Sequence, residues 1–271
     1  MNYFKLIGND RVSPIGLGTW GMGGKTYPDS SRDHEMIKAI MFAISNGLSL
    51  LDTAEFYAQG HTEELVGKAL KQVEREKVFV ISKVWYTHLE RDQVLRSAES
   101  SLKRLNLSYI DLYLIHWPNE SVPLREPLSA MQKLIDDGKI RYAGVSNFDI
   151  ELLKKAREEI PRSDLVADEV RYSLLYREPE KRLLPYCKRE HLAFIAYTPL
   201  EKGLVSKDSF LSEIGKKYNK TATQIALNWL SYNDTIPIPK SEKIDHIKEN
   251  AGAMGWKLSK EDFATISEKY G

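Results

Sequence analysis

The stretch Leu50-Leu51-Asp52-Thr53-Ala54-Glu55-Phe56-Tyr57 runs from apolar residues into an acid, and a tyrosine follows five positions after that acid. Lys83 closes a second apolar run at 78–82, and His116 closes a third at 110–115. An acid, a phenol, an amine and an imidazole thus stand at or just beyond the ends of successive apolar runs. A phenol has a pKa of about 10 and is a poor acid near neutrality. An ammonium beside it stabilises the phenolate and lowers that value. A carboxylate can hold the ammonium in place and keep it charged, and an imidazole can aim a substrate oxygen by a hydrogen bond. Such a group gives a proton to an oxygen that is becoming an alkoxide. The companion step is hydride delivery to a carbonyl carbon, which no side chain supplies, so a nicotinamide cofactor is required. Each residue alone has a plainer role: Asp52 as a helix cap, Lys83 as a rim charge, His116 as a satisfied core group. Only their convergence on one rim makes the chemical reading.

The elements that must position them are legible as an alternation. Apolar runs at 13–18, 48–52, 78–82, 110–115, 142–145, 165–169, 192–196 and 235–238 are apolar throughout, as strands buried on both faces are. Between them, stretches at 31–46, 62–73, 92–105, 127–137, 151–159, 179–189 and 221–232 have a period near 3.6. Asp29, Ser30 and Ser31 can cap the first helix, and Gly47 and Gly138 stand where helices should stop. A parallel strand needs a crossover to return. Eight such units predict an α/β fold, a (β/α)₈ TIM barrel, over one domain of residues 1–271; a doubly wound open sheet is the alternative, and the eight roughly equal units favour closure. The opening Phe4-to-Val12 segment predicts a short hairpin turning at Gly8-Asn9-Asp10, placed to plug the barrel's N-terminal mouth. Residues 259–270 predict an extra C-terminal helix, with Ser259 and Asp262 close to a capping box.

In a barrel the chemistry belongs at the C-terminal mouth, so the residues where each run breaks carry the argument. Thr19 and Trp20 end the first run. Ser146, Asn147 and Glu169, after the fifth and sixth, can hydrogen-bond a carboxamide. Tyr197, after the seventh, offers a flat face to a nicotinamide ring. Lys240-Ser241 follows the last run and precedes a helix near 242–251, a position at which barrels bind phosphate. Gly16–Gly21 fits G-x-G-x-x-G, but a loop follows it rather than the helix that a dinucleotide fingerprint needs. No Tyr-x-x-x-Lys and no His-x-x-x-His occurs, and no metal site is expected.

The bulk numbers exclude other classes. The formal net charge is +1, from 39 basic and 38 acidic residues, which gives no global field for nucleic acid and no polybasic tail for a membrane. No apolar window is long enough to span a bilayer, and the N-terminal twelve residues do not read as a signal peptide, so a cytoplasmic protein is expected. The single cysteine, Cys187, excludes an intrachain disulfide and reads as a small buried residue on a helix.

The segments GLGTWGMGG, LDTAEFY, ISKVW, LYLIHWP, YAGVSNF, AYTPL and IPIPKS…HIKENAGA, in this order and spacing, resemble the aldo-keto reductases over nearly the whole chain. The resemblance implies NADP(H), with NAD(H) as a further cofactor, and reduction of a small-molecule carbonyl substrate by a monomer or homodimer. It implies a tetrad of Asp52, Tyr57, Lys83 and His116, with Tyr57 as general acid. It places Ser146, Asn147 and Glu169 on the carboxamide, with Thr19, Trp20 and Asp52 beside the same ring, and Tyr197 against it. Thr198 and Leu200 would line the pyrophosphate, and Lys240, Ser241, His246, Glu249 and Asn250 the adenosine end. Trp20, Trp85 and Trp117, with Tyr57 and His116, would form the substrate pocket, open because the loops around it are short. Two departures stand out. Glu169 replaces the Gln of many members, and an ionised carboxylate cannot donate to the carboxamide oxygen. His246 replaces an Arg six residues after the lysine, which predicts NADP(H) preference with weakened discrimination against NAD(H). A redox-sensing nucleotide-binding module and a Schiff-base lyase built on Lys83 are the rival readings.

Overall fold

Strict alternation along short strands decides which side chains reach the barrel's interior. The computed structural model describes residues 4–271; residues 1–3, part of the stretch read above for signal-peptide character, lie outside the described residues. β1 (Lys5–Ile7) and β2 (Asp10–Val12) pair antiparallel with Ile7 opposite Asp10, so Gly8 and Asn9 form the turn. Then come β3 (Leu17–Gly18), β4 (Leu50–Asp52), β5 (Phe79–Val84), β6 (Ile110–Ile115), β7 (Ile140–Ser146), β8 (Leu165–Arg171), β9 (Ala193–Tyr197) and β10 (Ile236–Pro237). These eight lie side by side in chain order, each parallel to the next. The last meets the first. The Gly16 and Gly18 N–H groups donate to the Pro237 and Pro239 carbonyls at 3.0 and 3.2 Å, and Gly18 bridges to Lys240. The barrel is closed, and the open-sheet alternative is excluded. A Cβ on Gly18 would stand 2.8 Å from the Ile238 carbonyl oxygen. Gly16 and Gly18, two of the three glycines that imitate a dinucleotide fingerprint, therefore serve the seam between first and last strands.

The helices are α1 (Asp33–Ser45), α2 (His61–Leu70), α3 (Arg91–Leu105), α4 (Arg125–Asp136), α5 (Ile150–Glu159), α6 (Leu183–Arg189), α7 (Ser209–Tyr218), α8 (Ala222–Tyr232), α9 (Ile244–Ala251) and α10 (Lys260–Lys269). None is long and apolar enough to cross a membrane among the described residues. Gly47 and Gly138 sit at positive φ just past α1 and α4, as their positions predicted. Three expectations need correction. Asp29 caps not α1 itself but a 3-10 turn, Ser30–Arg32, that leads into it. The stretch 179–189 is broken at Arg182 (φ −141°) into a 3-10 turn holding Pro179 and the short α6. At α10 Ser259 accepts from the Asp262 N–H, but the Asp262 carboxylate turns to Lys217 and Tyr218, so only half a capping box forms.

Two apolar layers result. Leu51, Val80, Tyr113 and Ile115 face outward and pack under the helices. Leu50, Phe79, Ile81, Leu112, Leu114, Ala167, Ala193, Ile195, Ile236 and Ile238 face inward and fill the barrel with Ile7 and Val12 of the hairpin. The hairpin thus plugs the N-terminal end, and full burial of a side chain like Ile7 is worth roughly 1.5–3 kcal/mol. Cys187 is fully buried, in the core role read for it, and so is Trp229 on α8.

Candidate functional site

Continuing the inward series by two residues on each strand reaches the site. Leu50 leads to Asp52, Ile81 to Lys83, Leu114 to His116, Ala167 to Glu169, Ile195 to Tyr197 and Ile238 to Lys240. A period of 2 therefore delivers every one of these polar side chains to the inner face at the C-terminal mouth. Asp168, of opposite parity, faces away and is buried, which pushes its carboxyl well above the ordinary value.

Lys83, with no exposed surface, is the hub. Its Nζ donates to the Asp52 carboxylate, to the Thr53 carbonyl at 3.1 Å and to the Tyr57 hydroxyl at 3.4 Å, and it lies 3.4 Å from Glu169 Oε2. Tyr57 arrives on the 3-10 turn Tyr57–Gly60, separated from the end of β4 by four residues. Its ring meets the His116 ring edge-on, centroids 5.7 Å apart. Tyr57 and His116 are each 8% exposed, enough to be reached from the mouth. The four tetrad candidates are thus brought together.

The charges distribute unevenly. Burial alone would push the Lys83 ammonium down, but Asp52, Glu169 and Tyr57 together hold it above its ordinary value. A nucleophilic amine needs the opposite, so a Schiff base on Lys83 is disfavoured. Burial, and then Lys83, push His116 down to about 2, so its imidazole is neutral at any physiological pH. The expected lowering of Tyr57 is reversed: burial raises the phenol above its ordinary value, and the pull of Lys83, opposed by Asp52 and Glu169, does not overcome it. Burial is the larger cause, and the Asp52 carboxylate in contact with the ammonium offsets part of its pull. Burial raises both acids against the pull of Lys83. Asp52 touches the ammonium directly, whereas Glu169 stands further off and is pushed much higher, Asp52 itself being the second cause. Of the two, Glu169 is the one that burial pushes further toward its protonated form.

The remaining candidates fall into groups. Thr19 is buried and donates its hydroxyl to the Asp52 carbonyl at 2.7 Å, tying the first strand end to the second. The Ser146 hydroxyl donates to the Glu169 carbonyl at 2.7 Å. Asn147, at φ +62°, donates to the His116 carbonyl and to Ser146 Oγ, both at 3.0 Å, and its Oδ1 accepts from the Tyr197 hydroxyl at 2.8 Å. Both N–H bonds of its amide are therefore used inside the protein, and the open valences are a second lone pair on Oδ1 and Glu169 Oε2, which has no hydrogen-bond partner. Thr198 (φ +53°) and Leu200 follow on the loop after β9, half-buried. On α9, His246 is exposed, Glu249 half-buried and Asn250 buried, with Ser241 buried just ahead of the helix.

Trp20 and Trp85 do not touch each other. Phe56, which the sequence reading passed over, stacks between them, its centroid 6.1 Å from Trp20 and 3.9 Å from Trp85. Its signal was its place beside Tyr57. Glu55, also passed over, accepts from the Trp85 N–H at 2.7 Å and fixes that wall. Trp117 stands across the mouth, 42% exposed, in a groove of about 400 Å³ shared with Asn147, Arg171, Tyr176 and Tyr197.

A sequence profile described as the aldo/keto reductase family matches residues 14–271. Methylglyoxal reductase YeaE of Escherichia coli (strain K12) is 36% identical over 273 residues, covering 98% of this chain and 94% of its own. The crystal structure of a thermostable aldo-keto reductase, Tm1743, in complex with the inhibitor epalrestat superposes with a TM-score of 0.95 at 45% identity, covering 99% and 100% of the two chains. An aldo-keto reductase from Klebsiella pneumoniae, solved in complex with NADPH, gives 0.91 at 34% identity over 100% of this chain and 95% of that one.

Proposed function

The chain belongs to the aldo/keto reductase family, and from that premise we propose that it reduces the carbonyl group of small aldehydes and ketones, 2-oxoaldehydes among them, to alcohols with NADP(H). The observation that carries the reading is the contact set around one ammonium: Lys83 on Asp52, and 3.4 Å from the hydroxyl of Tyr57. NADP(H), when bound, supplies the hydride to the carbonyl carbon. Tyr57 gives its proton to the carbonyl oxygen, and the raised phenol is in its acid form throughout the working pH range. Lys83 then stabilises the phenolate left behind until solvent returns the proton. Asp52 keeps Lys83 in place. Neutral His116 donates to the carbonyl oxygen and fixes its direction without competing as a charged acid.

The residues present fit a nicotinamide carboxamide. Glu169 Oε2 accepts no hydrogen bond, lying 3.4 Å from Lys83 Nζ, and in the protonated form that burial favours Glu169 can donate to the carboxamide oxygen as a Gln amide would. Asn147 Oδ1 can accept from the carboxamide nitrogen. Tyr197 lies half-buried at the rim, its hydroxyl anchored, its ring available for stacking. Ser241, His246, Glu249 and Asn250 flank the adenosine end, and Lys240 holds the 2′-phosphate. The aromatic wall of Trp20, Phe56 and Trp85 grips apolar parts of a substrate with little selectivity. The methylglyoxal reductase relative is the reason to include 2-oxoaldehydes.

The test is a panel of aldehydes, 2-oxoaldehydes and ketones assayed with NADPH and NADH, repeated with Tyr57→Phe. The variant should lose about 10²- to 10⁴-fold in kcat while nucleotide binding, followed by tryptophan quenching, survives. Equal turnover in the variant would remove Tyr57 from the acid role.

A further inference from the structure

Lys240 does not stand free. Its Nζ lies 3.0 Å from Oε1 of Glu242, two residues on. The other oxygen of the same carboxylate accepts from Arg32 Nη1 at 3.2 Å. Arg32 stands just before α1 and is steadied there by Glu35, whose Oε2 accepts from its Nε at 2.8 Å. Glu242 is the least exposed member, its side chain 27% accessible against 40% for Lys240 and 52% for Arg32. The cluster borders a cavity of about 580 Å³ lined by Gly21, Gly24, Lys25, Tyr27, Arg32 and Glu242. A Cβ on Gly21 would stand 3.8 Å from Lys240 Nζ, so the ammonium is drawn over the first loop.

One carboxylate bridging two cations, one oxygen to each, has the sign of charge and the fork geometry that a phosphate monoester would also present to them. We propose that Glu242 is a specificity-determining residue: it occupies Lys240 as an internal anion in the free enzyme, and a 2′-phosphate must displace it. The inference rests on the assignment of Lys240 to the 2′-phosphate made above. Because NADH carries no such phosphate, Glu242 limits the affinity for NADPH and leaves that for NADH alone. It therefore narrows the preference between the two nucleotides, in the same direction as the missing guanidinium at His246. Arg32, held on the far oxygen, keeps the carboxylate forward over the cavity.

The test is nucleotide binding by tryptophan fluorescence, with NADPH and NADH, on the parent, Glu242→Gln, Lys240→Met and the double variant, with thermal melting as a control of folding. A partly exposed ion pair of this kind should release about two- to five-fold in Kd when broken. Glu242→Gln should tighten NADPH by that factor, leave NADH unmoved, and have no effect when Lys240 is already Met. Unchanged or weaker NADPH binding in Glu242→Gln would overturn the proposal, as would equal tightening of NADH or persistence of the effect in the double variant. If Lys240→Met itself leaves NADPH binding unchanged, the phosphate assignment fails and takes this inference with it. If Lys240→Met weakens NADPH and Glu242→Gln does nothing, only this inference fails.

Discussion

Replacing Lys83 by Met keeps the length of a fully buried side chain and removes its charge. The Tyr57 hydroxyl is 3.4 Å from that charge. With an effective dielectric of about 20, a full phenolate at this distance is stabilised by roughly 5 kcal/mol. In the transition state the proton is only partly transferred, and half of that, about 2.5 kcal/mol, is the smaller figure. These two values bracket the loss in kcat between about 60-fold and about 4,000-fold. Asp52, left without its partner, takes up a proton, which removes the negative charge that opposed the phenolate and moves the result toward the lower end. The assay is steady-state reduction, at saturating NADPH, of the carbonyl compound that the parent turns over fastest in the panel, with nucleotide affinity and melting temperature measured on the same preparation. A folded Lys83→Met enzyme that binds nucleotide normally and retains kcat within fivefold of the parent would refute the claim that this ammonium supports Tyr57.

Two further predictions concern the neighbours of that pair. His116 is held neutral, its folded pKa pushed down to about 2, whereas an unfolded His titrates near 6.5. Below pH 6.5 the unfolded chain therefore binds the extra proton, and this group's contribution to stability falls with pH; between pH 7 and pH 5 the loss is about 2 kcal/mol. Urea denaturation at the two pH values should show that difference in the parent relative to His116→Gln, and the same acid dependence in both proteins would show that His116 protonates in the folded state. Because burial favours the protonated, neutral form of Glu169, Glu169→Gln should leave the NADPH dissociation constant within about threefold, while Glu169→Ala should weaken it by roughly 2- to 12-fold for one hydrogen bond. Much tighter binding in Glu169→Gln would mean that the parent residue is ionised.

The chain's local chemistry determined a good deal by itself. Runs dominated by apolar residues marked all eight barrel strands because a strand buried on both faces has little polar side to reveal. Gly8 marked the hairpin turn, and Gly47 and Gly138 the helix ends, because left-handed backbone selects glycine. Asp52, Lys83, His116, Glu169 and Tyr197 were legible as strand-end residues, and the strands' period of 2 accounts for their reaching one face. Tertiary structure alone decided the rest. Whether the sheet closed depended on Gly18 approaching the last strand, a contact between positions more than two hundred residues apart. The turning of Asp262 to Lys217 and Tyr218 was set by neighbours distant in sequence. So was the sign of the Tyr57 shift: the spacing of an acid, a phenol and an amine along the chain carries no measure of how much water is excluded, or of a second carboxyl arriving from β8 to share the ammonium. Burial and long-range pairing are properties of the packed whole, and they are what turned a set of suitable side chains into a site with a defined proton inventory.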